Sequence, residues 1–167
     1  MLISTRGRYA LRIMLELAQY DRGKYIPLPL IAERQEISEK YLESIISVLG
    51  KAGLVEGLRG KGGGYRLSRE LKDYSVGEIL RLSEGSLAPV ACLDGEVNRC
   101  PRAEKCQTLP VWEKLDELIN GYLDSISLAD LLHQVKDTDV GPCCLSKNYK
   151  PIDKVCFKAY HINIPNR

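Results

Sequence analysis

Three shortages limit what this chain can be. No apolar run approaches the roughly 20 residues that a membrane-spanning helix needs, and the N-terminus lacks the apolar core of a secretion signal. Only two histidines are present, and no nucleophile–base pair or carboxylate pair stands at a recognisable spacing, so we expect no enzyme. The formal net charge is only +2, too small to indicate a nucleic-acid partner by itself. We therefore expect a cytoplasmic globular protein of one compact domain with an appended element.

Charge and cysteine are distributed unevenly along the chain. Residues 1–75 carry a net charge of +4 and residues 76–167 a net charge of −2, a weak indication that the first part faces phosphates. All six cysteines lie beyond residue 90. Because disulfides rarely persist in a reducing compartment, such a group of cysteines favours metal binding or redox sensing.

The first half predicts a helix-turn-helix. Apolar residues recur at helical spacing from Thr5 onward, a short helix is expected over 30–35, and Ser38 is predicted to cap a third helix that ends at about Gly50. The apolar face of this third helix comprises Leu42, Ile45, Ile46 and Leu49. Its polar face comprises Lys40, Glu43, Ser44 and Ser47. Two short helices with a tight turn are typical of a helix-turn-helix, although an ordinary helical hairpin has the same pattern.

A glycine-rich hairpin follows, with strands predicted over 54–58 and 65–67, and it is typical of the wing of a winged helix. Arg59 and Lys61 at its tip are placed to reach phosphates or a narrow minor groove. Glycines such as Gly62 and Gly63 let the backbone approach DNA closely. A nucleotide-binding loop is excluded, because neither Ser nor Thr follows Lys61 and a tyrosine takes the third glycine position of the dinucleotide fingerprint.

The second half predicts helices around a loop. Ser75 and Glu78 form a capping box for a helix to about Ser83, and the loop over 84–108 carries three cysteines in the pattern C-x7-C-x5-C. A long helix from Leu109 to about Asp124 and a short one ending near Val135 are expected next. The apolar stripe of the long helix indicates packing against another element and comprises Trp112, Leu115, Ile119, Tyr122, Leu123 and Ile126.

Three segments closely resemble the Rrf-two family of bacterial transcription regulators, namely RGRYALRIMLELA (6–18), ISEKYLE (37–43) and GLVEGLRGKGGGYRLSR (53–69). The resemblance covers about residues 1–130. It implies a mainly α fold with a small β-hairpin wing, a winged helix-turn-helix followed by a long dimerisation helix. The implied division is a DNA-binding domain, a cysteine-bearing sensor loop, a dimerisation helix with a short final helix, and a tail without assigned structure, over 1–83, 84–108, 109–135 and 136–167.

The family resemblance also implies a homodimer on a palindromic operator in double-stranded DNA, with the recognition helix in the major groove and the wing in the minor groove. The positions that match the recognition helix are Ser38, Lys40, Tyr41, Glu43 and Ser44. Those that match backbone contacts of the first helix are Thr5, Arg6, Arg8 and Tyr9. Glu43 suits the amino group of cytosine, whereas Lys40 and Tyr41 suit phosphates. A solvated surface role stays open for each residue.

The cysteine spacing alone does not distinguish an iron–sulfur cluster from zinc or a disulfide. It resembles the cluster-binding members of the family, which implies a [2Fe-2S] or [4Fe-4S] cluster on Cys92, Cys100 and Cys106. Two positions depart from the family pattern, because Leu109 replaces a ligating histidine and Arg8 replaces an acidic residue. The fourth ligand is open between a residue of the partner subunit and Asp94, Glu104, Cys143, Cys144 or Cys156.

Two alternatives remain open from the sequence. The same DNA-binding regulator could use zinc or metal-free thiol or cysteine-metabolite sensing, which iron and sulfide content would distinguish. A winged-helix protein-interaction module would instead show no salt-dependent affinity for any duplex.

Overall fold

Six α-helices and one β-hairpin form the part of the chain that the computed structural model describes, residues 2–20, 23–95 and 97–137. In chain order they are α1 (Thr5–Ala18), α2 (Leu28–Gln35), α3 (Glu39–Lys51), β1 (Val55–Leu58), β2 (Gly64–Leu67), α4 (Val76–Glu84), α5 (Leu109–Ser125) and α6 (Leu128–Asp137). None of these helices has the length and apolar character needed to cross a membrane. The tail beyond residue 137, with Cys143, Cys144 and Cys156, lies outside the described residues.

Serine side chains start three of the first four helices. The hydroxyl of Ser4 accepts from the backbone N–H of Gly7, that of Ser38 from Tyr41 N–H at 3.3 Å, and that of Ser75 from Glu78 N–H at 3.0 Å. These contacts satisfy N–H groups that have no partner inside a helix, and they confirm the caps predicted at Ser38 and Ser75.

The predicted helix boundaries agree with the structure to within two residues. The helix α2 begins at Leu28, two residues early, because a proline is tolerated in the first turn, where its missing N–H is not needed. The helix α3 ends at Lys51, one residue past its predicted end at about Gly50. The chain turns out of α3 at Gly53, where φ is 72°, a conformation that favours glycine.

One core holds α1 to α4 and the base of the hairpin together. Its fully buried side chains are Ile13, Met14, Ile31, Leu42, Ile45, Ile46, Leu49, Leu54, Tyr74, Ile79 and Leu128. All four residues predicted for the apolar face of α3 are among them. The helix-turn-helix is thus packed on α1 and α4, and the opposite face of α3 is left outside.

The wing is an antiparallel pair, β1 with β2, in which Val55 is opposite Leu67 and Leu58 is opposite Gly64. The loop before α2 helps to hold the wing to the core: Ile26 and Tyr65 exchange two backbone hydrogen bonds of 2.9 Å. Gly64 has a φ of 155°, and a Cβ there would overlap the carbonyl of Ile26. The wing therefore has a fixed base and a free tip.

A smaller apolar cluster connects α4 with α5 and the N-terminus. Val76, Leu80 and Leu87 are buried in it, and Ile3, Leu11, Leu123, Ile126 and Leu131 pack around them. The apolar stripe predicted for α5 is therefore divided between two faces. Leu123 and Ile126 face this cluster, whereas Leu115 and Tyr122 remain exposed.

Candidate nucleic-acid interface and cysteine segment

No described residue buries the outer face of α3. Lys40, Glu43 and Ser44 are exposed there, and the capping residue Ser38 is exposed as well. Tyr41 is half-buried, because its ring packs edge-on against Tyr9 with 5.9 Å between the ring centroids. The helix therefore presents one charged and polar surface of the kind that enters a major groove.

The first turn of α1 lies beside this helix. The guanidinium of Arg6 donates to the backbone carbonyl of Ser44 at 3.3 Å, and that of Arg8 donates to the hydroxyl of Thr5 at 3.1 Å. Thr5 and Arg8 are exposed, whereas Arg6 and Tyr9 are half-buried. The structure thus brings Arg6 and Tyr9 into contact with α3, at Ser44 and Tyr41, and leaves Thr5 and Arg8 exposed in the same turn of α1.

The tip of the wing is exposed at Arg59, Lys61 and Gly62, and half-buried at Gly63. Its turn is closed by a hydrogen bond of 2.9 Å from the N–H of Gly63 to the carbonyl of Gly60. Near the base, Arg66 donates twice to the carboxylate of Glu56 on the opposite strand. The positive charge of Arg66 is therefore engaged within the hairpin, and Arg59 and Lys61 are the cations at its tip.

An open cleft of about 500 Å³ separates the wing from α3, the predicted recognition helix. Residues from the start of α2 form its floor, Glu43 lines one side, and Arg59, Gly60 and Gly63 line the other. Helix and wing thus stand on either side of one groove, which is the arrangement that a winged helix needs to contact two grooves of a duplex.

The three described cysteines lie between α4 and α5. Cys92 is in a single 3-10 turn, Ala91–Leu93, and the N–H of Cys100 donates to the side chain of Asn98 at 2.9 Å. All three thiols are free and half-buried. Cys92 and Cys100 line one open cavity of about 700 Å³ together with Asp94, whereas Cys106 is outside its lining.

Within the described residues, no three side chains of the His, Cys, Asp or Glu type surround a common centre. The structure thus brings two of the three predicted cysteines to one cavity and leaves the third apart. Thiolates are nevertheless the donors that iron–sulfur clusters require, and the segment can supply three of them. Of the open candidates for a fourth ligand, Asp94 shares the cavity, and Glu104 is exposed in a separate 3-10 turn.

Cys106 has its own polar surroundings just before α5. Its Sγ lies 3.4 Å from the hydroxyl of Thr108. This hydroxyl, followed by the backbone N–H groups of Thr108 and Leu109, lowers the pKa of the Cys106 thiol below its ordinary value. A thiolate is therefore easier to form at this position, and a thiolate is both the metal ligand and the reactive form of cysteine.

Sequence reasoning missed a buried acid that orients the helix-turn-helix. The carboxylate of Glu16 on α1 is 6% exposed and accepts hydrogen bonds from Tyr20, Arg34 and Gln35, at 3.1, 3.0 and 2.9 Å. Arg34 and Gln35 belong to the end of α2, so this cluster locks α2 onto α1. An acid between the apolar residues Leu15 and Leu17 was the available signal, because a buried charge requires partners.

Similar proteins agree with this architecture. The Rrf2 (Rrf-two) family model, described as an iron-dependent transcriptional regulator, matches residues 3–134. The HTH-type transcriptional regulator IscR of Vibrio atlanticus is 39% identical over 140 residues, which are 84% of this chain and 78% of that protein.

Solved structures are also similar. CymR, the global cysteine regulator of B. subtilis, has a TM-score of 0.66 and 36% identity, covering 80% of this chain and 98% of that one. IscR of T. potens has a TM-score of 0.62 and 41% identity, covering 81% and 88%. These relatives are regulators rather than enzymes, and they share the winged helix whose exposed helix, wing and intervening cleft are described above. The chain belongs to the Rrf2 family of DNA-binding transcriptional regulators.

Proposed function

We propose that this regulator binds palindromic DNA as a homodimer and that an iron–sulfur cluster on Cys92, Cys100 and Cys106 controls its affinity for DNA. The observation that carries the proposal is a set of three free, half-buried thiols in one segment between the DNA-binding core and α5. The description of the family as iron-dependent supports iron over other metals.

In this proposal the recognition helix reads the major groove through Glu43 and its neighbours, and the wing tip contacts the minor groove. Arg8, Lys40, Arg59 and Lys61 supply positive charge on exposed side chains, so binding should weaken linearly with the logarithm of salt concentration. Thr5, Arg6 and Tyr9 fix the position of the duplex relative to α3, which is the usual role of backbone contacts.

The dimer contact is assigned to the exposed face of α5. Val111, Leu115, Leu118 and Tyr122 follow one another at helical spacing and are 60%, 39%, 59% and 58% exposed. An apolar face of this length is costly in water, and a twofold axis lets the same face cover itself in a second copy. A second copy is therefore the occupant that we propose. The two recognition helices of the dimer would then meet half-sites about 34 Å apart.

The cysteine segment is suited to two arrangements. Cys92 and Cys100 already share a cavity, and Cys106 would complete the set by moving toward it together with the beginning of α5. A bound cluster would be lost or altered when iron becomes scarce or when the cluster is oxidised. The 3-10 turn bearing Cys92 packs against α5, the helix of the proposed dimer interface. A displacement of this turn would therefore also displace α5.

Anaerobic purification with a visible spectrum and iron and sulfide analysis tests the cofactor. We expect a coloured protein with stoichiometric iron and sulfide, and loss of the chromophore on changing any one of Cys92, Cys100 or Cys106 to alanine. Ser86→Ala is the matched control, because Ser86 lies in the same segment and only caps a local turn. DNA affinity that is identical with and without the cluster would contradict cluster control.

A metal-free thiol switch is the second candidate. The observation that favours it is the position of Cys106, which contacts Thr108 and lies outside the cavity that Cys92 and Cys100 share. A colourless protein after anaerobic reconstitution, without bound zinc, together with DNA affinity that changes on thiol oxidation, would favour this candidate over the cluster.

A further inference from the structure

The carboxylate of Glu84 joins the end of α4 to the beginning of α1. Its Oε1 accepts hydrogen bonds from the backbone N–H and the hydroxyl of Ser4, at 3.1 and 2.8 Å. The same hydroxyl accepts from the N–H of Gly7 at 3.2 Å and so caps α1. Since a hydroxyl has one proton, donation to Glu84 directs its lone pairs toward Gly7. Glu84 therefore fixes the orientation of the cap.

The carboxylate of Glu84 occupies the space that a side chain at position 7 of α1 would need. A Cβ at Gly7 would overlap Oε1 of Glu84, and it would also lie 3.3 Å from the side chain of Ile3. The carboxylate thus lies directly against the first turn of the helix, where a negative charge is also favoured by the helix dipole. Glu84 and Gly7, although 77 positions apart in the sequence, thus meet where the end of α4 contacts the beginning of α1.

The far side of the same turn contacts the recognition helix. Arg6 donates to the carbonyl of Ser44 in α3, and the exposed Thr5 and Arg8 stand beside it. Because only one turn separates Ser4 from these residues, the orientation of the cap sets where Thr5, Arg6 and Arg8 stand relative to α3. Glu84 is therefore connected to the nucleic-acid interface by direct contacts.

Glu84 is also the last residue of α4, one residue past the predicted end of this helix, so the cysteine segment covers residues 85–108. Gly85 follows with a φ of 83°, and Leu87, 3% exposed, packs into the small cluster that contains Ile3. Close-packed side chains transmit displacement, so a shift of the segment at Leu87 reaches Ile3 and Ser4. The contact between Glu84 and Ser4 thus lies between the cysteine segment and the candidate nucleic-acid interface.

We propose that Glu84 is a positioning residue that holds the first turn of α1 in place for DNA binding and connects it to the cysteine segment. The positioning role requires only that the chain binds DNA. The connection to the segment rests on the proposed function, namely control of DNA affinity by a cluster on the cysteines.

A double-mutant cycle on the cluster-free, full-length chain tests the positioning role. The probe is a duplex that the wild-type protein selects from a random pool. We expect Glu84→Ala to lower affinity about tenfold in the wild-type background but only about threefold when Arg6 is already alanine, because effects of coupled residues do not add. A purely structural role would lower affinity by the same factor in both backgrounds, which would overturn the proposal.

Two further variants separate positioning from loss of folding. Glu84→Gln retains an oxygen that accepts from Ser4, so we expect it to keep most of the affinity. Gly7→Ala introduces a good helix former but fills the space of the carboxylate, so we expect a loss of about fivefold, against the direction of helix propensity. The matched control is Glu33→Gln, an exposed acid of α2, with unchanged affinity. Full affinity in both Glu84→Ala and Gly7→Ala would overturn the proposal.

The cluster arm uses the ratio of DNA affinities with and without reconstituted cluster. We expect this ratio to move toward one in Glu84→Ala while iron content and the visible spectrum stay as in wild type. A ratio unchanged by the substitution would overturn the connection to the segment. A ratio of one in the wild type would instead refute cluster control, and the double-mutant cycle would still decide the positioning role.

Discussion

The winged helix and the segment that follows it differ in how much of themselves they bury. Ten of the eleven fully buried side chains named above lie at or before Ile79, in the winged helix and α4, and the other is Leu128 at the start of α6. Over the 17 residues of α5, no side chain is buried within the described part of the chain. Since burial of apolar surface is the main favourable term in folding, the first region gains much stability from its own core, whereas α5 gains less from the described part of the chain. That division agrees with the proposed function, in which a second copy covers the exposed face of α5.

The largest expected effect is on the buried side of this comparison. Ile46 in α3 is 1% exposed, and Ile46→Ala should lower the free energy of unfolding by about 2–5 kcal/mol, because it removes buried methylenes and leaves a cavity. Urea denaturation followed by circular dichroism measures the change. Val97→Ala, at a side chain that is 71% exposed, should change stability by less than about 0.5 kcal/mol. Equal losses in the two variants would contradict the division.

The second largest expected effect is on dimerisation through the exposed apolar face of α5. Leu118→Glu places a charge on the apolar face of α5 in each copy, so we expect the dimer dissociation constant to rise about a hundredfold, equivalent to about 2.7 kcal/mol. Sedimentation velocity over a concentration series measures it. Gln107→Glu adds the same charge at an exposed residue just before α5 and should leave the dimer intact. A Leu118→Glu protein that remains dimeric would place the interface elsewhere.

The smallest expected effect is on the titration of Asp130 at the start of α6, close to the point where Leu128 packs into the core. The hydroxyl of Ser127, then its backbone N–H, and the nearby His133 lower the pKa of Asp130 at the start of α6. A depressed pKa means that the stabilisation is present above the pKa of the unfolded chain and is lost as the pH falls through the folded value.

Ser127→Ala should therefore raise the pKa of Asp130 and shift the loss of the α6 cap to higher pH. Carboxyl chemical shifts measured by NMR during acid titration report this midpoint. Ser125→Ala removes a neighbouring hydroxyl that contacts only the carbonyl of Tyr122 in its own helix, and it should leave the titration unchanged. A midpoint for Asp130 that is the same in Ser127→Ala and wild type would show that Ser127 does not stabilise the carboxylate.

Much of the winged helix could be predicted because its signals are local. A serine cap and an apolar repeat specify α3, and glycines between two short strands specify the wing, so neither needed knowledge of distant residues. The same logic assigned the wrong glycine to the turn after α3, since Gly50 is helical and the left-handed position falls on Gly53. The family resemblance to Rrf2 regulators rested on the same local segments and is confirmed.

The amino-acid sequence thus determined the helices, the hairpin, the polar face of α3 and the presence of three cysteines in one segment. Only the tertiary structure decided which apolar residues of α5 remain exposed, that Cys92 and Cys100 share a cavity without Cys106, and that Glu16 and Glu84 are joined to partners on other helices. The physical reason is the distance along the sequence between the residues that interact. Caps, turns and helical periodicity depend on neighbours within a few residues, whereas Glu84 and Ser4 are 80 positions apart and meet only when α1 and α4 pack.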